Sequence, residues 1–291
     1  MDLRKIRDCI DDIDREILSL LDERMTLALR TARLKAAVWD GLREARVLDQ
    51  AERYSRDHNL LVKGDFVHSL FDEIMKESRR LQETHRPLAG FQGINGALGK
   101  FAAQRYDAGL VPIPCAELED VVQAVERGSL DFGIVPFEGL NGGSAAALID
   151  PMSEGRLSVA GAVELRIGRG LPEPPGLDPE VRGDGQPSHH ARFLVLAREV
   201  QTVPDEKCAF FLSAASGGGS VSAVLDIFAR AGMDLTLTES FPRRSESSPS
   251  VFFLDVQRRN VRHSVEPVLG AIRRKSRTFR FLGFFKEEVC E

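Results

Sequence analysis

The chain has 291 residues, 43% of them hydrophobic and 29% charged, with a formal net charge of −5. That is the composition of a globular protein of two or three domains. With no basic run, it argues against nucleic acid or an anionic membrane surface as a partner. No apolar run reaches membrane length, and the opening MDLRKIRDCIDDIDRE is too charged for a signal peptide, so the cytoplasm is the expected location. Cys9, Cys115, Cys208 and Cys290 are scattered without a C-x-x-C pair, which fits reduced thiols rather than disulfides or a zinc site.

In the first segment, Ile6, Ile10, Ile13, Ile17, Leu20, Leu21, Ala28 and Ala32 recur at spacings of three and four. That predicts one long amphipathic helix. Arg7, Arg24 and Lys35 fall on or beside the same stripe, with no acidic residue on it to neutralise them. One such cation is equally well explained by a stem that snorkels to water. Three together favour a bound anion, because a cation on an apolar stripe loses hydration unless something meets it. Asp40, Arg43 and Glu44 follow a short break, and Ser78 and Gln82 lie one turn apart in a third helical pattern, Phe66 to Thr84. Residues four apart share a helix face and can address one ligand. At 1.5 Å rise per residue, Arg7 and Arg24 stand about 25 Å apart, further than a metabolite reaches. Arg7 would then serve a second site, in an antiparallel homodimer whose chains exchange this residue.

The set Arg7, Arg24, Lys35, Asp40, Arg43, Glu44, Ser78 and Gln82 resembles the pocket of the all-helical chorismate mutases, over about the first 85 residues. The loop between Lys35 and Asp40 is shorter than is usual there. The resemblance implies that chorismate, a dicarboxylate, rearranges to prephenate by a concerted pericyclic shift, without nucleophile, metal or cofactor. Such a catalyst holds the reactive conformer and stabilises charge on the breaking ether oxygen. By resemblance, Arg24 and the second chain's Arg7 bind the carboxylates, supported by Ser78 and Arg43. Lys35 and Gln82 donate to the ether oxygen, and Glu44, helped by Asp40, holds the ring hydroxyl. Lys35, Gln82, Glu44 and Arg24 are the expected catalytic residues.

Pro87 closes the helical region, and from Leu88 strands alternate with helices, which implies an α/β layer. FQGINGALGKFAA and AVERGSLDFGIVPFEGLNGGS resemble the first lobe of prephenate dehydratase. Where that family has Glu-Asn-Ser, this chain has Glu138-Gly139-Leu140. Where it has Thr-Arg-Phe, with the threonine implicated in dehydration, this chain has Ala191-Arg192-Phe193. In place of a whole second lobe stands GRGLPEPPGLDPEVRGDGQPSH, which has linker composition. A cleft enzyme works between two lobes, so no dehydratase activity is expected. Glu138 reads as a loop brace, His189-His190 as exposed linker, and Asn95-Gly96 and Gly142-Gly143-Ser144 as turn residues. Cys115 reads as a small core residue.

Lys207 to Phe285 reads as strand, helix, strand, strand, helix, strand, the order of a ferredoxin-like split unit. GGGSVSAVLDIFARAGMDLTLTESFPRR resembles the regulatory ACT domains that close prephenate dehydratases and bind phenylalanine. Gly219-Ser220-Val221 and Glu239-Ser240 match the family's effector segments, but Phe241 replaces an arginine. An aromatic amino acid is the implied effector; the alternative is a dimerisation module whose site has decayed.

The expected layout is an all-α mutase domain (1–87), an α/β single-lobe dehydratase remnant (88–204, with a linker at 169–190) and an α+β ACT domain (205–291). The leading reading is a mutase with a silent dehydratase-like lobe. The alternatives are an enzyme that still dehydrates or decarboxylates prephenate, and a non-catalytic regulatory subunit that binds an amino acid.

Overall fold

A computed structural model describes residues 2–34, 39–93, 98–138, 148–154, 156–167, 189–200, 202, 206–214, 220–241, 251–258 and 265–290. The chain forms two compact units, Met1–Arg86 and Pro87–Glu291.

The first unit holds three helices, α1 (Leu3–Ala32), α2 (Gly41–Asp57) and α3 (Gly64–Glu83). The isoleucine stripe does produce one continuous α1, yet none of its residues is buried. Ile10, Ile13 and Ile17 remain about half exposed, at 50, 55 and 49%. α2 starts where Asp40 caps it, its Oδ1 accepting from the Arg43 backbone N–H at 3.0 Å. α3 packs against both other helices. Its inward face runs Val67, Met75, Ser78, Gln82, all buried. That face is apolar at its start and polar at its end, and polar groups are tolerated inside only where something answers them.

The second unit contains two sheets. The first has the order β10-β4-β5-β3-β1-β2. β1 (Leu88–Gln92), β2 (Val111–Cys115) and β3 (Phe132–Glu138) run parallel, linked through α4 (Leu98–Tyr106) and α5 (Leu118–Glu126). α6 (Ile149–Ser153) follows, then β4 (Ser158–Ile167) and β5 (His189–Ala197), an antiparallel pair joined out to Ile167↔His189. The stretch 168–188, which includes most of the expected linker, lies outside the described residues. His189 and His190 are strand residues and not linker: their backbones continue the ladder, opposite Ile167 and Arg166. Cys115 is buried as expected, and none of the four cysteines forms a disulfide. Glu138 ends β3, its side chain outside the described residues, as are Asn95, Gly96 and 142–144.

The second sheet, β7-β8-β6-β9, is built from β6 (Lys207–Ala214), α7 (Ser220–Arg230), β7 (Met233–Phe241), β8 (Val251–Arg258), α8 (Glu266–Lys275) and β9 (Ser276–Phe285). This is the expected βαββαβ order. Phe228 of α7 and Ile272 of α8 pack on Phe210, Leu212 and Leu254 from one face. On the other face, Phe253 meets Phe137 of β3 with ring centroids 4.5 Å apart. Arg280 of β9 donates to the Met152 carbonyl and to Ser158 Oγ, tying the two sheets a second time.

One strand was not foreseen. β10 (Glu287–Cys290) leaves the second sheet and pairs in parallel with β4 on the edge of the first. The lobe and the βαββαβ fold are thus one compact unit, and the last four strand residues of the chain belong to the lobe's sheet.

Candidate functional site

The helical unit contains a cavity of about 410 Å3 lined by α1, the start of α2 and the end of α3. That size suits a metabolite. Six of the eight residues expected from the sequence line it: Arg24, Asp40, Arg43, Glu44, Ser78 and Gln82. The helical period brings them together, since Arg24, Ala28 and Thr31 share one face of α1, as do Met75, Ser78 and Gln82 on α3. Arg7 does not line this cavity; it is exposed toward the other end of the same helix. Lys35 lies outside the described residues.

The cavity's electrostatics favour an anion. Arg24 Nη1 is sealed from solvent and has no hydrogen-bond partner among the described residues. The Arg24 guanidinium is pushed below its ordinary pKa, first by burial and then by repulsion from Arg43. It stays protonated nonetheless, so two cations face each other across a half-buried space. A carboxylate between them would relieve both the repulsion and the lost hydration.

Gln82 and Ser78 supply neutral polarity. Gln82 Nε2 donates to Ser78 Oγ at 3.2 Å, while Gln82 Oε1 is buried without a partner among the described residues. With the amide turned over, the serine hydroxyl would donate to Oε1 and both amide hydrogens would be free for a ligand. Asp40 lines the cavity too, but one of its oxygens is spent on capping α2.

Arg79 was missed by the sequence reading. It lines the cavity, and its Nη1 donates to Glu44 Oε2 at 2.5 Å. The available signal was its place three residues before Gln82, a spacing that shares a helix face.

Residues 6–83 match the family model described as chorismate mutase type II. The helical unit is a chorismate mutase type II domain. Beyond this mutase domain, residues 89–180 match the prephenate dehydratase family model, so the α/β lobe is prephenate dehydratase-like. A bifunctional chorismate mutase/prephenate dehydratase of Stutzerimonas stutzeri is 25% identical over 361 residues, covering 99% of this chain and 98% of that protein. The protein of the same name from Pseudomonas aeruginosa is 24% identical, covering 99% and 98%. These alignments run over 361 positions against a chain of 291 residues, so many positions of each relative have no counterpart here. The crystal structure of a prephenate dehydratase from Arthrobacter aurescens, in complex with L-Phe, superposes with a TM-score of 0.55 at 18% identity over 68% of this chain and 90% of that one. At that identity the likeness is one of fold.

Of the expected effector segments, Ser220 and Val221 open α7, and Glu239 and Ser240 lie near the end of β7, opposite Phe253 and Phe252. Their side chains and Gly219 are outside the described residues. Among the described residues no group of three His, Cys, Asp or Glu side chains is placed to hold a metal ion. No described helix is long and apolar enough to cross a membrane.

Proposed function

We propose that the helical unit converts chorismate to prephenate, and that the lobe behind it performs no dehydration. The observation that carries the first half is the cavity in which a buried, unpartnered Arg24 Nη1 and Arg43 meet Gln82, Ser78 and Glu44. In this reading Arg24 binds one carboxylate, with Arg43 and Ser78 in support. Gln82 and Lys35 donate to the ether oxygen, where negative charge grows as the bond breaks. Glu44 accepts from the ring hydroxyl, and Asp40 assists electrostatically from its capping position. No proton is transferred; the residues select the reactive conformer and stabilise its transition state.

The second carboxylate is assigned to Arg7 of a second copy. Support comes from α1, a 30-residue helix with no buried residue and its isoleucine stripe half exposed. An amphipathic helix in water covers its apolar stripe. An antiparallel second copy would cover it and bring that copy's Arg7 to this cavity.

The silent-lobe reading is supported by Arg192, which stands in the altered Ala191-Arg192-Phe193 segment. Its Nε donates to Glu287 Oε1 and its Nη2 to Asp255, so the guanidinium is engaged within the protein. The 168–188 stretch, whose flanking residues are paired neighbours, is also too short for a second wall. For the βαββαβ fold we propose an ACT-type module that senses an aromatic amino acid, a reading favoured by the L-Phe complex of its structural neighbour.

A coupled assay tests the mutase and the silent lobe together. Chorismate loss is followed in the ultraviolet, and phenylpyruvate is measured before and after acid, which converts prephenate chemically. Chorismate loss with phenylpyruvate only after acid is expected. Phenylpyruvate before acid would overturn the silent lobe, and unchanged chorismate at high enzyme concentration would overturn the mutase. Thermal shifts with phenylalanine, tyrosine and tryptophan test the effector.

A further inference from the structure

We infer that Arg79 is a positioning residue that holds Glu44 for the substrate and keeps Glu44 away from the carboxylate-binding arginines. The inference rests on the mutase reading of the same cavity.

The cavity is lined by three guanidinium groups, Arg24, Arg43 and Arg79, and by two carboxylates, Asp40 and Glu44. Left to itself, a carboxylate beside two mutually repelling guanidiniums would pair with one of them. A pocket that collapsed in that way would present less positive charge to a dianion. Two contacts prevent it. Asp40 Oδ1 is spent on the Arg43 backbone N–H, and Glu44 Oε2 on Arg79 Nη1. Arg24 and Arg43 are left with no side-chain carboxylate of their own among the described residues.

The Arg79–Glu44 pair differs from its neighbours on the same helix. Arg80, next in the chain, spends its guanidinium on Glu77 one turn back, on an exposed surface. Arg79 instead crosses from α3 to α2, and its side chain and that of Glu44 are only 28 and 24% exposed. The contact raises the Arg79 pKa above its ordinary value, the hydrogen bond to Glu44 being the main cause. With Oε2 fixed, Glu44 retains Oε1 to accept from a substrate hydroxyl, in one orientation set before binding. Preorganisation of this kind spares the substrate the cost of ordering the acceptor.

The test uses the full chain and compares wild type with Arg79→Ala, Arg79→Lys, Glu44→Gln and the Arg79→Ala/Glu44→Gln double variant, with chorismate loss and thermal unfolding measured for each. Arg79→Ala is expected to lower kcat/KM about thirtyfold, mostly through KM, and Arg79→Lys to recover most of it. The double variant is expected to be no slower than Glu44→Gln alone, because both changes remove one device. A strut that merely joins α2 to α3 would lower the unfolding temperature while leaving kcat/KM within about twofold, and that result overturns the inference. Additive losses would overturn it as well, since Arg79 would then act independently of Glu44. Should Arg79→Ala not fold, Arg79→Gln carries the same comparison. An inert wild-type chain would remove the mutase reading itself, and is seen before any variant is made.

Discussion

Arg192 and Asp255 form an ion pair closed to water, their side chains 6 and 0% exposed, that joins β5 of the lobe to β8 of the βαββαβ fold. Glu287 of β10 accepts from Arg192 Nε at 2.5 Å, and Lys207 of β6 contacts both Glu287 and, at 3.6 Å, Asp255. Two cations and two anions thus cancel where four strands from two sheets converge. A buried charge left without its partner is costly, so the quartet makes the lobe and the βαββαβ fold interdependent.

Glu287→Gln tests that interdependence. Burial pushes the Glu287 pKa up, but Arg192 and Lys207 outweigh burial and hold it below the usual carboxylate range. A carboxyl whose folded pKa lies below its unfolded value stabilises fully above the unfolded value, about 4.3 for Glu, and loses that contribution as pH falls toward the folded value. Glu287→Gln should cost about 3 kcal/mol at neutral pH, with faster hydrogen exchange at β5 and β10, and the deficit should shrink in acid. Equal exchange in both proteins would show the quartet to be energetically neutral.

Arg24→Lys is the sharpest probe of the anion site. Lysine keeps the charge but loses the planar fork that grips a carboxylate. We expect kcat/KM to fall about a hundredfold, equivalent to about 2.7 kcal/mol, with the unfolding temperature unchanged. A chorismate-like dicarboxylate should raise the unfolding temperature of wild type more than of Arg24→Lys.

Gln82 predicts the shape of the pH profile. A neutral amide donates at any pH, so wild-type turnover should stay flat through neutrality. Gln82→Glu must be protonated to donate, so its kcat should rise as pH falls and drop about tenfold per unit once its carboxyl has ionised. An unaltered profile in that variant would remove Gln82 from the ether-oxygen contact.

The exposed stripe of α1 predicts a dimer by analytical ultracentrifugation. Ile13→Glu, placed on a stripe residue that is 55% exposed in the single chain, should give inactive monomers without unfolding the lobe. Arg7→Ala and Arg24→Ala should each be nearly inactive alone. Co-refolded as a random mixture they should regain about a quarter of wild-type activity, because half the dimers then carry one site with both arginines. No recovery would mean that Arg7 serves no site on a second copy.

The fluorescence of Trp39, the chain's single tryptophan, offers a binding readout. It is 71% exposed and adjoins the cap residue Asp40, with its ring against Gly41. Titration with a dicarboxylate should change its emission, and Arg24→Ala should abolish the change.

Much of the site was legible because a helix is a local object. Spacings of three and four put Arg24 on one face of α1 and Ser78 and Gln82 on one face of α3 before any packing is known. The same periodicity separated Arg7 from Arg24 on a single rod, so the cavity could be expected to lack Arg7. The βαββαβ order was likewise readable from strand and helix lengths together with the turns between them. Arg79 was not, because a residue at the margin of a face enters a cavity only if the neighbouring helix crosses at the right angle.

What the sequence determined by itself was most of the elements, and the helix faces on which Arg24, Ser78 and Gln82 lie, since both follow from short-range periodicity. What only the tertiary structure decided were the pairings between distant segments. β10 is four residues long and begins with two glutamates, which gave no sign of a strand that joins β4, over a hundred positions earlier. Arg192 carried no mark of its partners Asp255 and Glu287. Nor did Ile167 and His189 show that they would face each other across a ladder. Such contacts depend on how whole sheets come to lie together, and the free energy that selects them, burial of apolar faces with cancellation of the charges trapped between them, has no local signature in the chain.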